Sequence, residues 1–256
     1  MSSIVIEQVP VLSDNYAYLL HDPATGATAV VDPSAEGPVT AALAARGWRL
    51  THIFVTHHHA DHIGGLSALK AATGCQVVGA RMDRERIPDL DLEVGDGDVI
   101  SVGSALARVL AVPGHTLGHL AYWFPDSLAL FCGDALFSIG CGRVFEGSAG
   151  EMWSSLRKLR ALPDATQVFC AHEYTLANVK FALTIDPDNP SLRERMQKVV
   201  SLREEKRPTV PSTLSEEKAA NPFLRADDAD LQRRVGLPDA DPVAVFAEIR
   251  RRKDVF

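Results

Sequence analysis

The sequence predicts a layered α/β fold followed by a smaller helical domain, and three observations predict it. Short apolar runs of strand length recur between turn residues through the first two thirds of the chain, whereas from about residue 174 the apolar positions fall at helical spacing. Four of the strand-like runs lead directly into a histidine or an aspartate, and α/β folds place functional side chains at the carboxyl ends of their strands. At 256 residues, 46% hydrophobic and 23% charged, the chain can bury one large core and support a smaller second one.

Taken in order, residues 4–9, 16–20 and 27–31 read as strands, with Asp22-Pro23 and Thr25-Gly26 marking the turn between the second and the third. A helix follows near residues 37–46. Ile53-Phe54-Val55 is a short buried strand feeding the polar run Thr56-His57-His58-His59-Ala60-Asp61-His62, after which Ile63, Leu66 and Leu69 with Ala68 and Ala71 fit one helical face. Asp96-Gly97 is a hairpin signal between short strands. The runs 105–112, 120–124, 128–133 and 167–171 supply further strands. Leu192, Met196 and Val199 then share a helical face, which Pro208, Pro211 and Asn221-Pro222 interrupt. The expected division is 1–173 and 174–256.

The run from His57 to His62 concentrates four metal-ligand candidates, His57, His59, Asp61 and His62, in six residues. In an extended turn alternate side chains share a face, so His57 and His59 can meet one ion while His58 points elsewhere. Imidazole nitrogens with carboxylate oxygens suit zinc, iron or manganese, and without a Cys pair the site is no structural zinc finger. Taken alone, the cluster would read equally well as a His-rich surface loop. Matching partners elsewhere decide against that reading: His115 in Pro113-Gly114-His115-Thr116, Asp134 after Cys132-Gly133, and His172 after Cys170-Ala171, each leaving an apolar run. The glycine beside His115 allows close backbone approach.

Composition narrows the functional classes. The net charge of −7 and the lack of a basic stripe interleaved with aromatics argue against a nucleic-acid partner. Residues 1–10 have no basic n-region and Glu7 interrupts their apolar stretch, so they read as a first strand rather than a signal peptide. Residues 109–125, the longest uncharged stretch, contain His, Gly and Pro and do not make a membrane span. Cys75, Cys132, Cys141 and Cys170 form no Cys-x-x-Cys pair, which points to a reduced, cytoplasmic compartment, with Cys132 and Cys170 as small core residues.

Across nearly its whole length the chain resembles the metallo-β-lactamase superfamily and, within it, glyoxalase II, the hydroxyacylglutathione hydrolases. The motifs carrying the resemblance are THHHADH at 56–62, PGHTLGH at 113–119, GD at 133–134, GCGRVFEG at 140–147, AHEY at 171–174, NPFLR at 221–225 and RRRKD at 250–254. The first three are superfamily features, while GCGRVFEG and the terminal basic motif point to the glutathione-thioester branch. The resemblance implies an αββα sandwich with a small C-terminal helical domain that closes over substrate. It implies two divalent ions, zinc first and iron or manganese as alternatives. His57, His59 and His115 would hold one ion and Asp61, His62 and His172 the other, with Asp134 bridging.

The implied reaction is hydrolysis of S-D-lactoylglutathione to D-lactate and glutathione, the second step of methylglyoxal detoxification. A metal-bridging hydroxide oriented by Asp134 would be the nucleophile. The partner is then a small-molecule glutathione thioester, with neither nucleic acid nor membrane, and the chain a monomer or weak dimer. By the same resemblance Arg143, Tyr174, Arg250 and Lys253 bind glutathione, whose two carboxylates need a local positive patch on an acidic protein. From the residues alone, the basic run 250–253 reads as a charged helix end, and Tyr174 as packing on a following helix. Phe145 departs from a Tyr common in the family, so contact there would be packing only. His21, His52 and His58 have structural readings, and His119 a hydrogen-bonding one beside the metal ligands. The rival functions are a glutathione persulfide dioxygenase with a single iron and a noncatalytic metal-dependent binding protein; a β-lactamase is a weaker third.

Overall fold

The computed structural model describes residues 3–256; Met1 and Ser2, the start of the stretch read as a non-signal N-terminus, lie outside them. The chain divides into two compact units, one comprising residues 1–111 and 118–133 and the other residues 112–117 and 134–256.

The first unit is built from β1 (Val5–Val11), β2 (Asn15–His21), β3 (Thr28–Val31), α1 (Glu36–Arg46), β4 (His52–Phe54), α2 (Ala60–Ile63), α3 (Leu66–Thr73), β5 (Gln76–Ala80), β6 (Leu92–Val94), β7 (Val99–Val102), β8 (Ala105–Ala111), β9 (Leu120–Phe124) and β10 (Ala129–Gly133). Strands β1 to β6 lie in sequence order in one mixed sheet, antiparallel as far as β3 and parallel from β3 to β6. Strands β7 to β10 form an antiparallel meander. Alternation along β2 shows how the layers meet. Ala17 and Leu19 join Val39, Leu43, Leu66 and Leu69 of α1 and α3 in one core. Tyr18 points the other way and meets Phe131 of the meander at 5.5 Å between ring centroids. Tyr122 completes this second interior, its hydroxyl donating to the Val55 carbonyl at 2.6 Å.

Two expectations are corrected here. Asp96-Gly97 is no hairpin, because β6 before it pairs with β5 in the mixed sheet while β7 after it pairs with β8 in the meander. The turn chemistry is real, with the Asp98 N–H donating to the Gly95 carbonyl at 3.2 Å and Gly97 at φ 84°, but it carries the chain from one sheet to the other. The helix from Ile63 is split into α2 and α3, since a Cβ on Gly64 would meet the Ser34 carbonyl oxygen at 2.5 Å and one on Gly65 the main chain of Ala35 at 2.6 Å. The Gly65 N–H instead donates to the Pro33 carbonyl. Asp61 and His62 therefore sit on a single short turn of helix.

The second unit contains β11 (Leu136–Phe137), β12 (Gly140–Cys141), α4 (Ala149–Arg160), β13 (Gln167–Cys170), α5 (Thr175–Ile185), α6 (Pro190–Glu204), β14 (Ser212–Thr213), α7 (Leu214–Ala220), α8 (Ala229–Arg234) and α9 (Pro242–Asp254). The helical pattern after residue 174 is present as α5 to α9. Leu192 and Val199 of α6 pack with Val179 and Ala182 of α5, Met196 at their edge. Sequence analysis did not place α4, although Ser148 and Glu151 form a capping box that marks its start. Nor did it place β14, which pairs antiparallel with β13.

Candidate metal centre

In the first unit the ligand-type residues gather where β4 ends. The His57 Nε2 and His59 Nδ1 atoms are 3.0 Å apart, and the His57 and His62 rings lie 4.0 Å apart between centroids. The His62 Nε2 and Asp61 Oδ2 atoms are separated by 3.6 Å. Behind them stands Asp32, which leaves β3 with φ 49° and is buried. Its Oδ1 accepts the Thr56 N–H at 2.8 Å, and its Oδ2 accepts the Thr56 hydroxyl at 2.7 Å and lies 3.0 Å from His62 Nδ1. A carboxylate only accepts, so His62 carries its proton on Nδ1 and presents a lone pair at Nε2. The Thr56 hydroxyl, having donated to Asp32, accepts from His57 Nδ1 at 3.1 Å, which leaves His57 Nε2 as a lone pair too. Asn15 donates to both the carboxylate and the carbonyl of Asp61, at 3.1 and 3.2 Å.

His58 is turned away, toward Asp83 at 3.3 Å. His119 is buried and stacks on the His57 ring at 4.6 Å. Among the remaining histidines, His21 lies 2.9 Å from the Thr28 hydroxyl and stacks on Trp48. Burial pulls the pKa of His52 down.

In the second unit His115, Asp134 and His172 come together. Asp134 faces the two imidazoles with different oxygens, Oδ2 at 3.5 Å from His115 Nε2 and Oδ1 at 3.4 Å from His172 Nε2. His115 donates from Nδ1 to the Arg143 carbonyl at 2.8 Å, so its Nε2 is also a lone-pair donor. Gly114, at φ 148°, brings the chain onto α4, where a Cβ would meet Met152 at 2.5 Å.

Both groups fit a metal on the chemistry of their donors. Separations of 3.4 to 3.6 Å are too long for direct N–H···O bonds. Ligands about 2.0–2.1 Å from one ion in tetrahedral arrangement stand roughly 3.3 Å from each other. The outer hydrogen bonds set the imidazole tautomers that ligation requires.

Beside the second group lies a cavity of about 310 Å³ lined by His115, Asp134, Phe137, Cys141, Arg143, Phe145, Tyr174, Ala177, Asn178, Arg250 and Lys253. All four expected substrate contacts are in that lining. Arg250 is 9% exposed and donates to the Cys141 carbonyl at 3.0 Å, with Asp254 at 2.9 Å. Arg143 Nε lies 3.3 Å from the same Asp254. Lys253 sits over Phe181 and Phe256, and burial, then the charge of Arg250, pulls its pKa down. Burial pushes the Cys141 thiol up to about 11. The Tyr174 ring lies parallel to that of His172 at 4.6 Å and meets Phe137 edge-on at 5.4 Å. Phe145 is 60% exposed and meets the His115 ring edge-on at 5.2 Å.

Residues 12–172 match the metallo-beta-lactamase superfamily, and residues 173–256 match the hydroxyacylglutathione hydrolase C-terminus. The hydroxyacylglutathione hydrolase of Methylococcus capsulatus is 63% identical over 98% of each chain. That of Rhodospirillum rubrum is 59% identical over the full length of both. This chain belongs to the hydroxyacylglutathione hydrolase family. Among solved structures, ETHE1 from Myxococcus xanthus aligns over 98% of this chain and 99% of its own, at 29% identity and a TM-score of 0.67. The BLEG-1 B3 metallo-beta-lactamase, at 20% identity, 86% and 99% coverage and a TM-score of 0.67, shares the fold.

Membership of the superfamily implies divalent metal binding, in keeping with the His/Asp clusters of the structure. For a hydroxyacylglutathione hydrolase, sequence analysis missed Asp32, Thr56 and Asn15 as hydrogen-bond partners of the ligand-type residues. The available signal was Asp32-Pro33 at the end of an apolar run, the same strand-end placement used for Asp134.

Proposed function

We propose that the chain is a glyoxalase II, hydrolysing S-D-lactoylglutathione to D-lactate and glutathione. The observation that carries the reading is one cavity lined both by ligand-type His115 and Asp134 and by the cations Arg143, Arg250 and Lys253, in a protein of net charge −7. Two divalent ions, zinc first, would be held by His57, His59 and His115 and by Asp61, His62 and His172, with Asp134 shared. When bound, such ions supply a nucleophilic hydroxide near neutral pH and polarise the acyl oxygen.

The chain's own residues do the rest. Asp32, Thr56 and the Arg143 carbonyl hold the proton of His62, His57 and His115 at Nδ1, keeping each Nε2 available. The cavity cations draw the glutathione carboxylates, and Arg143 can contact one with two parallel hydrogen bonds. Tyr174, stacked on His172, offers a wall beside the reacting centre. The departing thiolate is a good leaving group, so no side chain need act as a strong general acid.

In this reading residues 1–173 are the metal hydrolase domain and 174–256 the glutathione-binding helical domain. The physiological setting is methylglyoxal detoxification in the cytoplasm by a monomer or weak dimer, without nucleic acid or membrane. Support for the compartment is that all four cysteines are buried thiols. No helix among the described residues is long and apolar enough to cross a membrane. The test is hydrolysis of S-D-lactoylglutathione followed at the thioester absorbance, with metal content measured on the same sample. Turnover with about two ions per chain, lost on chelation, is expected. A fully loaded protein without turnover overturns the reading, and oxygen uptake on glutathione persulfide would then identify the dioxygenase.

A further inference from the structure

The Asn221-Pro222-Phe223-Leu224-Arg225 motif takes no part in the site described above, yet its side chains reach the back of the cavity wall. Asn221 is completely buried and donates from Nδ2 to the Phe137 and Gly140 carbonyls at 3.3 and 3.0 Å. The same amide bonds Glu217 Oε2 at 3.0 Å, and Asn221 Oδ1 accepts the Phe223 N–H at 3.0 Å. Glu217, also completely buried, accepts the Ile139 N–H at 2.8 Å. These bonds enclose the tight turn between β11 and β12. Ile139 in that turn has φ 57°, a left-handed conformation that a β-branched residue adopts only when its surroundings hold it there. The strands flanking the turn deliver Phe137 and Cys141 to the cavity. Phe223 acts on the same wall by a second route: its ring lies under the Arg250 guanidinium, 5.1 Å from the centroid, while Arg250 donates to the Cys141 carbonyl.

We propose that Asn221, with Glu217 and Phe223, positions the substrate cavity from behind, holding the strained turn at Ile139 and seating Arg250, and so sets the affinity for the glutathione thioester. None of the three residues lines the cavity, so they are positioning residues. The inference rests on the thioesterase reading only for the identity of the ligand; the clamp on residues 137–140 is independent of it.

The variants separate the clamp from simple stability. Asn221→Ser keeps an oxygen to cap Phe223 but is too short to reach the two carbonyls. Glu217→Gln keeps an acceptor for Ile139, whereas Glu217→Leu removes it. On the metal-loaded full chain, Asn221→Ser and Glu217→Leu should speed amide hydrogen exchange in peptides covering residues 136–141. KM for S-D-lactoylglutathione and Kd for glutathione should rise about tenfold, with kcat and metal content within about twofold of the parent. Glu217→Gln should restore both readouts. Raised exchange with unchanged KM and Kd would reduce the motif to a purely structural role, and unchanged exchange would remove the clamp; either overturns the inference. A parent protein that fails to hydrolyse the thioester defeats the functional reading instead, and the exchange comparison still decides the clamp.

Discussion

Replacing Asp32 by asparagine tests the proposed metal centre without touching any of its proposed ligands. In the parent, Asp32 accepts from the Thr56 N–H at 2.8 Å, the Thr56 hydroxyl at 2.7 Å and His62 Nδ1 at 3.0 Å. An asparagine that keeps its oxygen on the Thr56 N–H turns its NH₂ toward the hydroxyl and His62. It then donates to Nδ1 and drives the His62 proton to Nε2, where the lone pair for an ion is needed. The flipped amide keeps the oxygen on His62 but sets two donors against each other at Thr56. One buried hydrogen bond is lost either way, at about 1–3 kcal/mol. Loss of such an outer partner costs roughly 10–100-fold in metal affinity, or about 1.4–2.7 kcal/mol. The assay is competition for zinc against a chelator of known affinity, with circular dichroism as a check on folding. Weaker binding by at least about tenfold, in a variant that keeps its far-ultraviolet spectrum, is expected. Parent-like affinity for both ions in a folded variant would refute the tautomer argument.

Other substitutions probe the cavity and Asp134, the proposed shared ligand. Asp134→Ala removes the oxygens that face His115 and His172, so kcat should fall by more than the roughly 10–100-fold expected of an outer-partner loss; near-normal turnover at full metal loading would contradict its role. Arg143→Ala or Lys253→Ala should raise KM with a smaller loss in kcat, as follows if the proposed contacts bind ground and transition states alike; steady-state kinetics on glutathione and non-glutathione thioesters separate the cases. Phe145→Tyr adds a hydroxyl at the cavity rim and should lower KM by the equivalent of about 0.5–1.5 kcal/mol; an unchanged KM would show that no substrate acceptor lies within reach.

The parts of the site legible in the sequence were those whose chemistry is local. A histidine or aspartate directly after an apolar run identifies itself as a ligand candidate, and His57, His59, Asp61, His62, His115, Asp134 and His172 stand out that way or through the motifs around them. Asp32 obeys the same rule, yet Asp-Pro is also ordinary turn chemistry, and only the fold shows its carboxylate aimed at His62 and Thr56. Asp96-Gly97 misled for a related reason: turn residues specify a reversal of the chain but not which sheet receives the next strand. Asn221 carries no local signal of its role, because the carbonyls it bonds belong to Phe137 and Gly140, about eighty positions earlier. The basic run 250–253 divides in the structure: Arg251 pairs with Glu248 on the helix surface, while Arg250 and Lys253 line the cavity.

The break between α2 and α3 enlarges what counts as the candidate metal site. Gly64 and Gly65 have no side chain to offer a metal, but they close onto Pro33, Ser34 and Ala35, main chain continuous with Asp32. The segment that stops the helix bearing Asp61 and His62 and the segment that orients His62 are thus one piece of backbone. A methyl group at either glycine would push on that piece and move His62 and the Asp32 carboxylate together. Mutational tolerance around this centre is therefore set by shape as much as by coordination chemistry, and among genetic variants a glycine replacement here belongs with the loss of a histidine rather than with neutral loop changes.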